Sequence, residues 1–292
     1  MKKLYKKFIA FMAMVMLLCS TVFTIGCADI KTLEVRVRIY DYENEQVLEG
    51  DDYVLTIDLY RHLAPKTVDA IIDYVEEGYY DGSLFYQMTG LDYDTSHSLK
   101  KILVGDLKYV NGEITEVVKP EIEGEFEANG IKGNNLLNNL GSIGLFRGAN
   151  VSDATYKTSS SARNSARATW YIPTKEIKDY DGQYCVFGKF DVEEESNARV
   201  IEALNKVFDT SSSNFDTYQV YYTGTYDETK ANESYGLKFN CVLSKDYVKD
   251  NVVDLHDVEE GEIRENYNPH KVYLPKMVNG AFGASIVSVK VK

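Results

Sequence analysis

Apolar residues alternate with other residues at Leu33, Val35, Val37 and Ile39 and again at Leu55, Ile57 and Leu59, which predicts two strands with one face buried. The period then changes. Val68, Ile71, Ile72 and Val75 recur at offsets of three, four and seven, predicting a helix with Pro65 in its first turn and Gly78 as its stop. A second helix is predicted from Val200, Ile201, Leu204, Val207 and Phe208, after the acidic run Glu193 to Glu195, whose charges suit a helix N-terminus. Further strands are predicted at Tyr184 to Phe187, Tyr218 to Tyr222, Leu237 to Leu243 and Ile286 to Val291. Many strands with two well-separated helices read as a mainly antiparallel β structure, a barrel or sandwich capped by the helices.

The first residues follow neither period. Lys2, Lys3, Lys6 and Lys7 precede an uncharged stretch from Phe8 to Ile25, ending in Thr24-Ile25-Gly26-Cys27, which is a signal-peptide pattern. A small residue directly before Cys resembles the bacterial lipoprotein cleavage box, in which Cys27 is acylated; Thr24 departs from the aliphatic residue usual there. Lipid anchoring at Cys27 is the expectation, with an uncleaved membrane anchor or simple secretion as the alternatives. Each places the body outside the cytoplasm.

Charge narrows the partners. The 292 residues hold 32 Lys and Arg against 45 Asp and Glu, and the first 26 contribute four Lys and no acid, so the remainder has 28 bases against 45 acids, a net of −17. No nucleic-acid partner is expected, because phosphate neutralisation needs clustered bases. Cys185 and Cys241 are the only cysteines in the body and are read either as one disulfide or as two buried thiols. The four histidines are scattered, so no metal site is expected. Gly105, Asp106 and Gly182 read as turn residues, the serines from Ser159 to Ser161 and Ser165 as loop, and the acidic run Asp254 to Glu262 as a solvated loop.

The run Leu63-Ala64-Pro65-Lys66-Thr67-Val68, continuing through Glu77-Gly78-Tyr79-Tyr80-Asp81-Gly82-Ser83-Leu84-Phe85, resembles the first helix and following strand of the cyclophilin family of peptidyl-prolyl isomerases. Gly182-Gln183-Tyr184-Cys185-Val186-Phe187-Gly188-Lys189-Phe190 is similar to that family's strand after the active-site loop, and weaker matches lie at Val104-Gly105-Asp106, Glu125-Phe126, Gly141-Ser142-Ile143 and Asn164-Ser165-Ala166. The resemblance implies a closed eight-stranded antiparallel barrel capped by two helices. Insertions are implied after Met88, after Arg147 and between Phe208 and His270. The domain reading is a signal peptide at 1–26, a mature N-terminus and first strand at 27–49, and a cyclophilin-like domain at 50–292 with a long insertion at about 209–270.

By the same resemblance the chemistry is rotation about the bond before proline, aided by an Arg that donates to the prolyl nitrogen, with no cofactor. The matching position is Gln87, which can donate a hydrogen bond but carries no charge. Substrate contacts are implied at Phe85, Leu103, Phe146, Thr169, Tyr171, Tyr180 and Tyr184. The family's Phe-Met-x-Gln stretch reads Lys100-Lys101-Ile102-Leu103, its pocket His reads Tyr184, and its Gln-Phe-Phe run reads Thr169-Trp170-Tyr171. Two functions are therefore carried forward: a prolyl isomerase or foldase with a degenerate site, or a peptide-binding or chaperone module without catalysis. In both, the partners are proline-containing segments of secreted or envelope proteins.

Overall fold

The computed structural model describes residues 30–89, 100–147, 163–209, 211–223, 240–244 and 271–292. Cys27, the acidic run at 254–262, the serines at 159–161 and residues 237–239 of a predicted strand lie outside the described residues.

Strand β1 (Lys31–Asp41) carries the first alternating pattern, and Leu33, Val35, Val37 and Ile39 are all buried. It pairs with the short β2 (Gln46–Leu48) and with β3 (Val54–Leu59), Leu33 opposite Ile57 and Val35 opposite Leu55. Helix α1 (Pro65–Glu76) follows as predicted, and Gly78 ends it at φ +69°. Ala64 offers no side-chain cap. The buried Glu125 carboxylate takes its place from a distant loop, accepting from the backbone N–H of Lys66 at 3.0 Å and of Thr67 at 2.8 Å.

The chain continues through β4 (Gln87–Thr89), β5 (Lys101–Val104), β6 (Leu107–Val110), β7 (Glu113–Glu116), β8 (Ser142–Arg147), β9 (Ala166–Pro173) and β10 (Val186–Lys189). Strand β10 begins later than the sequence pattern suggests. Tyr184 is held in a turn instead, because the Tyr180 carbonyl accepts from both Gln183 N and Tyr184 N around Gly182, whose φ is +68°. Helix α2 (Glu195–Val207) starts where the acidic run predicts, with the Glu194 carboxylate accepting from Asn197 N at 3.1 Å. Then come β11 (Phe215–Thr223), β12 (Asn240–Ser244), β13 (Lys271–Pro275), the hairpin of β14 (Met277–Val278) and β15 (Ala281–Phe282), and β16 (Ala284–Val291).

Two large antiparallel sheets result, with the β14–β15 hairpin as a third of two strands. The first runs β16-β1-β3-β10-β8-β9-β5, with β2 on β1, and it curls so that α1 lies against β16 and α2 against β3 and β1. Its end strands are spanned by the segment 83–86 through isolated bridges, Leu84 to Ser285 and Tyr86 to Leu103, rather than by a continuous ladder. The mainly β class with two helices is as expected. The second sheet runs β4-β13-β11-β12-β7-β6, so the inserted strands β11 and β12 join strands from the middle of the chain. Residues 83–89 serve both sheets, since Ser83 bridges Lys108 of β6 while Gln87 pairs with Tyr273 of β13.

Two hydrophobic clusters follow from this arrangement. The larger fills the curl of the first sheet, with Leu33, Ile57, Trp170 and Phe187 against Val68 and Ile71 of α1 and Val200 and Leu204 of α2. The smaller lies between the sheets and joins Leu84, Tyr86, Leu103, Phe146, Tyr171, Tyr180 and Tyr184 to Tyr218, Val272 and Leu274.

Candidate functional site

Every residue that the resemblance implicates is buried, and they divide between two faces. Phe85 belongs to the first cluster, whereas Leu84, Tyr86 and Met88 pack with the second. Alternation along the segment therefore puts Gln87 on the side of Phe85, away from the aromatic cluster. Gln87 is 3% exposed, and no side-chain hydrogen bond ties it to that cluster among the described residues.

The structure does bring Leu103, Phe146, Tyr171, Tyr180 and Tyr184 together. Leu103 on β5 stands opposite Tyr171 on β9, and β9 in turn pairs with β8, which carries Phe146. Tyr180 and Tyr184 stack at 3.8 Å between centroids and 16° between planes. Tyr171 meets them edge on at 5.6 and 5.8 Å, and Phe146 meets Tyr171 at 6.4 Å. These are the offset and T-shaped geometries that ring quadrupoles favour. Tyr171 is wholly buried and bonds through its hydroxyl to Asn138, whose backbone and side-chain N–H groups reach Asp181 at 2.7 and 2.9 Å. Its ring lies on the backbone of Gly144, where an added Cβ would come within 2.1 Å of the ring.

Two cations sit among the rings. Lys101, at 0% exposure, donates to the Tyr180 hydroxyl at 2.8 Å and lies 5.1 Å from the Tyr180 centroid and 5.5 Å from that of Phe146. Arg147 lies over Tyr184 at 5.1 Å and Phe126 at 5.7 Å and donates to the Gln183 carbonyl at 3.1 Å. Sequence reasoning gave neither residue a role. For Lys101 the signal was a base directly before the apolar run Ile102-Leu103-Val104; all four residues are buried.

Thr169, also buried, lies beside this group and shares the Asp106 carboxylate with the Tyr86 hydroxyl, which donates at 2.9 Å. Burial pushes the Asp106 carboxyl above the ordinary carboxylate range, opposed by the hydrogen bonds from Tyr86 and Thr169. Gly105 turns the chain there at φ +127°. Cys185 is a free thiol within 3.4 Å of the Thr67 hydroxyl, and burial pushes it up to about 12. Among the described residues no group of His, Cys, Asp or Glu could hold a metal, and no helix is long and apolar enough to cross a membrane.

Residues 47–223 match the family model described as cyclophilin type peptidyl-prolyl cis-trans isomerase/CLD. Among solved structures, the chain is similar to a cyclophilin type peptidyl-prolyl cis-trans isomerase of Cryptosporidium parvum, at 13% identity and a TM-score of 0.37, over 74% of this chain and 96% of that one. A second structure of that isomerase, in the presence of the dipeptide Ala-Pro, matches at 14% identity and a TM-score of 0.34, over 72% and 96%. No curated protein matches significantly.

Proposed function

The chain belongs to the cyclophilin-type peptidyl-prolyl cis-trans isomerase family, and from that premise we propose that it is a divergent member acting outside the cytoplasm, tethered at Cys27, that holds proline-containing segments of secreted or envelope proteins without rotating them at the family pocket. The observation that carries the loss of rotation is the mutual packing of Tyr171, Tyr180 and Tyr184, with the Lys101 ammonium held by Tyr180 beside Phe146. These rings stand at the positions that the resemblance gives to the proline pocket, and they fill it with one another. A prolyl ring entering there would have to displace a stacked pair and a buried charge, and an unmet buried charge costs several kcal/mol.

The electrophilic side argues the same way. Rotation faces a barrier of about 18–20 kcal/mol, which the family lowers with a charged donor. Gln87 supplies at most a neutral bond, worth about 1 kcal/mol against about 1.5–3 for a charged one. The apolar side chains left accessible at Val110, on the β6–β7 hairpin that edges the second sheet, and at Met277, on the β14–β15 hairpin, offer contact area for a client, and the Tyr109 ring against the Phe282 ring at 5.3 Å joins those hairpins.

A prolyl-isomerisation assay with the full chain, run beside a binding titration of the same Xaa-Pro peptides, tests this. The expected outcome is measurable binding with no acceleration above buffer. Acceleration that falls in Gln87→Ala would overturn the reading and return the protein to the working isomerases.

A further inference from the structure

The tether implies an orientation. Cys27 precedes Lys31, the first residue of β1, by four residues, and the apolar run ends at Ile25. Whether acyl chains on Cys27 or the run itself meets the bilayer, six residues at most link the bilayer boundary to β1, or ~20 Å of extended chain. At that end Lys31 lies opposite Leu59, and Thr32 exchanges backbone hydrogen bonds with Lys292. At the other end Ile39 lies opposite Ala284, the residue from which the chain leads back through the β14–β15 hairpin to the second sheet. Eight strand rises, ~26 Å, separate the two ends.

The charges divide along the same axis. Around the tethered end stand Lys31, Arg61, Lys189, Lys290 and Lys292 with Glu34, Asp58, Asp69 and Asp81, five bases against four acids. Ile30 beside them is 59% exposed. At the far end the segments 41–53 and 191–195 carry ten acids and no base. The two segments meet there, because Ser196 donates to the Val54 carbonyl. Arg36, Arg38 and Arg199 pair with Asp51, Glu49 and Asp52, and Lys206 lies near Asp41, which leaves that end strongly negative.

We propose that the protein stands on an anionic phospholipid surface on its Lys31–Lys292 end, with Ile30, Arg61, Lys290 and Lys292 toward the headgroups and the second sheet held farthest from the membrane. The acidic end is repelled by anionic lipid while the near-neutral end is not, and exposed bases and an apolar residue suit the interface. The inference rests on the tether proposed above.

The test uses the full chain in vesicles of three parts phosphatidylcholine to one part phosphatidylglycerol. A nitroxide is carried on a ketone-bearing side chain introduced at Lys290 or at Met277, both exposed and outside the two clusters, and nickel chelated to lipid headgroups is the relaxing agent. Relaxation several-fold stronger at position 290 than at 277, with the ratio falling when Lys31 and Lys292 are both changed to Glu, is the expected result. Equal relaxation on vesicle-bound protein overturns the orientation and leaves the tether standing. Protein that does not float with the vesicles overturns the tether and this inference with it.

Discussion

The two hydrophobic clusters are built from different materials. The one inside the first sheet is largely aliphatic, drawn from long strands and two helices, and its residues touch across ladders of six or seven pairs. The one between the sheets is rich in tyrosine, holds a lysine, and is roofed by β11 and β13 of a sheet in which, among the described residues, β12 meets β7 only at Val242 and Thr115. Continuous ladders and aliphatic packing make a rigid frame. Hydroxyls and an ammonium inside the second cluster demand internal partners, so its geometry depends on specific bonds such as Lys101 to Tyr180 as well as on volume.

The sharpest break of this contrast is a cavity in the first cluster. Phe187→Ala removes a ring at 0% exposure that meets the only tryptophan, Trp170, at 6.4 Å between centroids. It should cost about 3–5 kcal/mol in urea unfolding followed by Trp170 fluorescence. A loss under ~1 kcal/mol would mean that the frame is not one continuous core.

In the second cluster the informative change adds an atom. Gly144→Ala drives a methyl into the Tyr171 ring and should cost about 1–3 kcal/mol. Tyr171→Ala beforehand should remove most of that cost, so the double-mutant cycle reads the coupling directly. Additive losses would show that the ring is not what excludes a side chain at 144.

The smallest effect is a pH dependence. Burial raises the folded-state pKa of Asp106 above its unfolded value, so this group favours the folded state at low pH, and that contribution is lost as pH rises through the folded pKa. Asp106→Asn carries no such loss. Relative to the parent, the variant should gain stability from pH 4 upward, by no more than about 1.4 kcal/mol for each unit by which the pKa is raised. A gap that does not change with pH would place the carboxyl in a better-solvated setting.

The frame was legible because each of its elements repeats one period for long enough. Leu33 to Ile39 and Val68 to Val75 show their buried faces directly, and Glu193 to Glu195 marks a helix start that Glu194 then caps. The site was legible only as a set of positions. That Tyr171, Tyr180 and Tyr184 gather could be read through the resemblance; that Tyr180 stacks on Tyr184, with Tyr171 edge on to both and Lys101 bonded to Tyr180, could not. Among the pieces that enclose them is β13, which is five residues long, too short for a period to speak, and comes from a distant part of the chain.

By itself the sequence determined the class of the protein, its two helices, the strands β1, β3 and β16 of its first sheet, the neutral residue at position 87 and the excess of acid in its body. Only the tertiary structure decided that Gln87 and the tyrosines lie on opposite faces, that inserted strands complete a second sheet over the aromatic group, and that the cations at 101 and 147 sit inside it. The reason is physical. Periodicity reports which face of an element avoids water, whereas the filling of a pocket depends on which distant side chains meet there, and no single element carries that information.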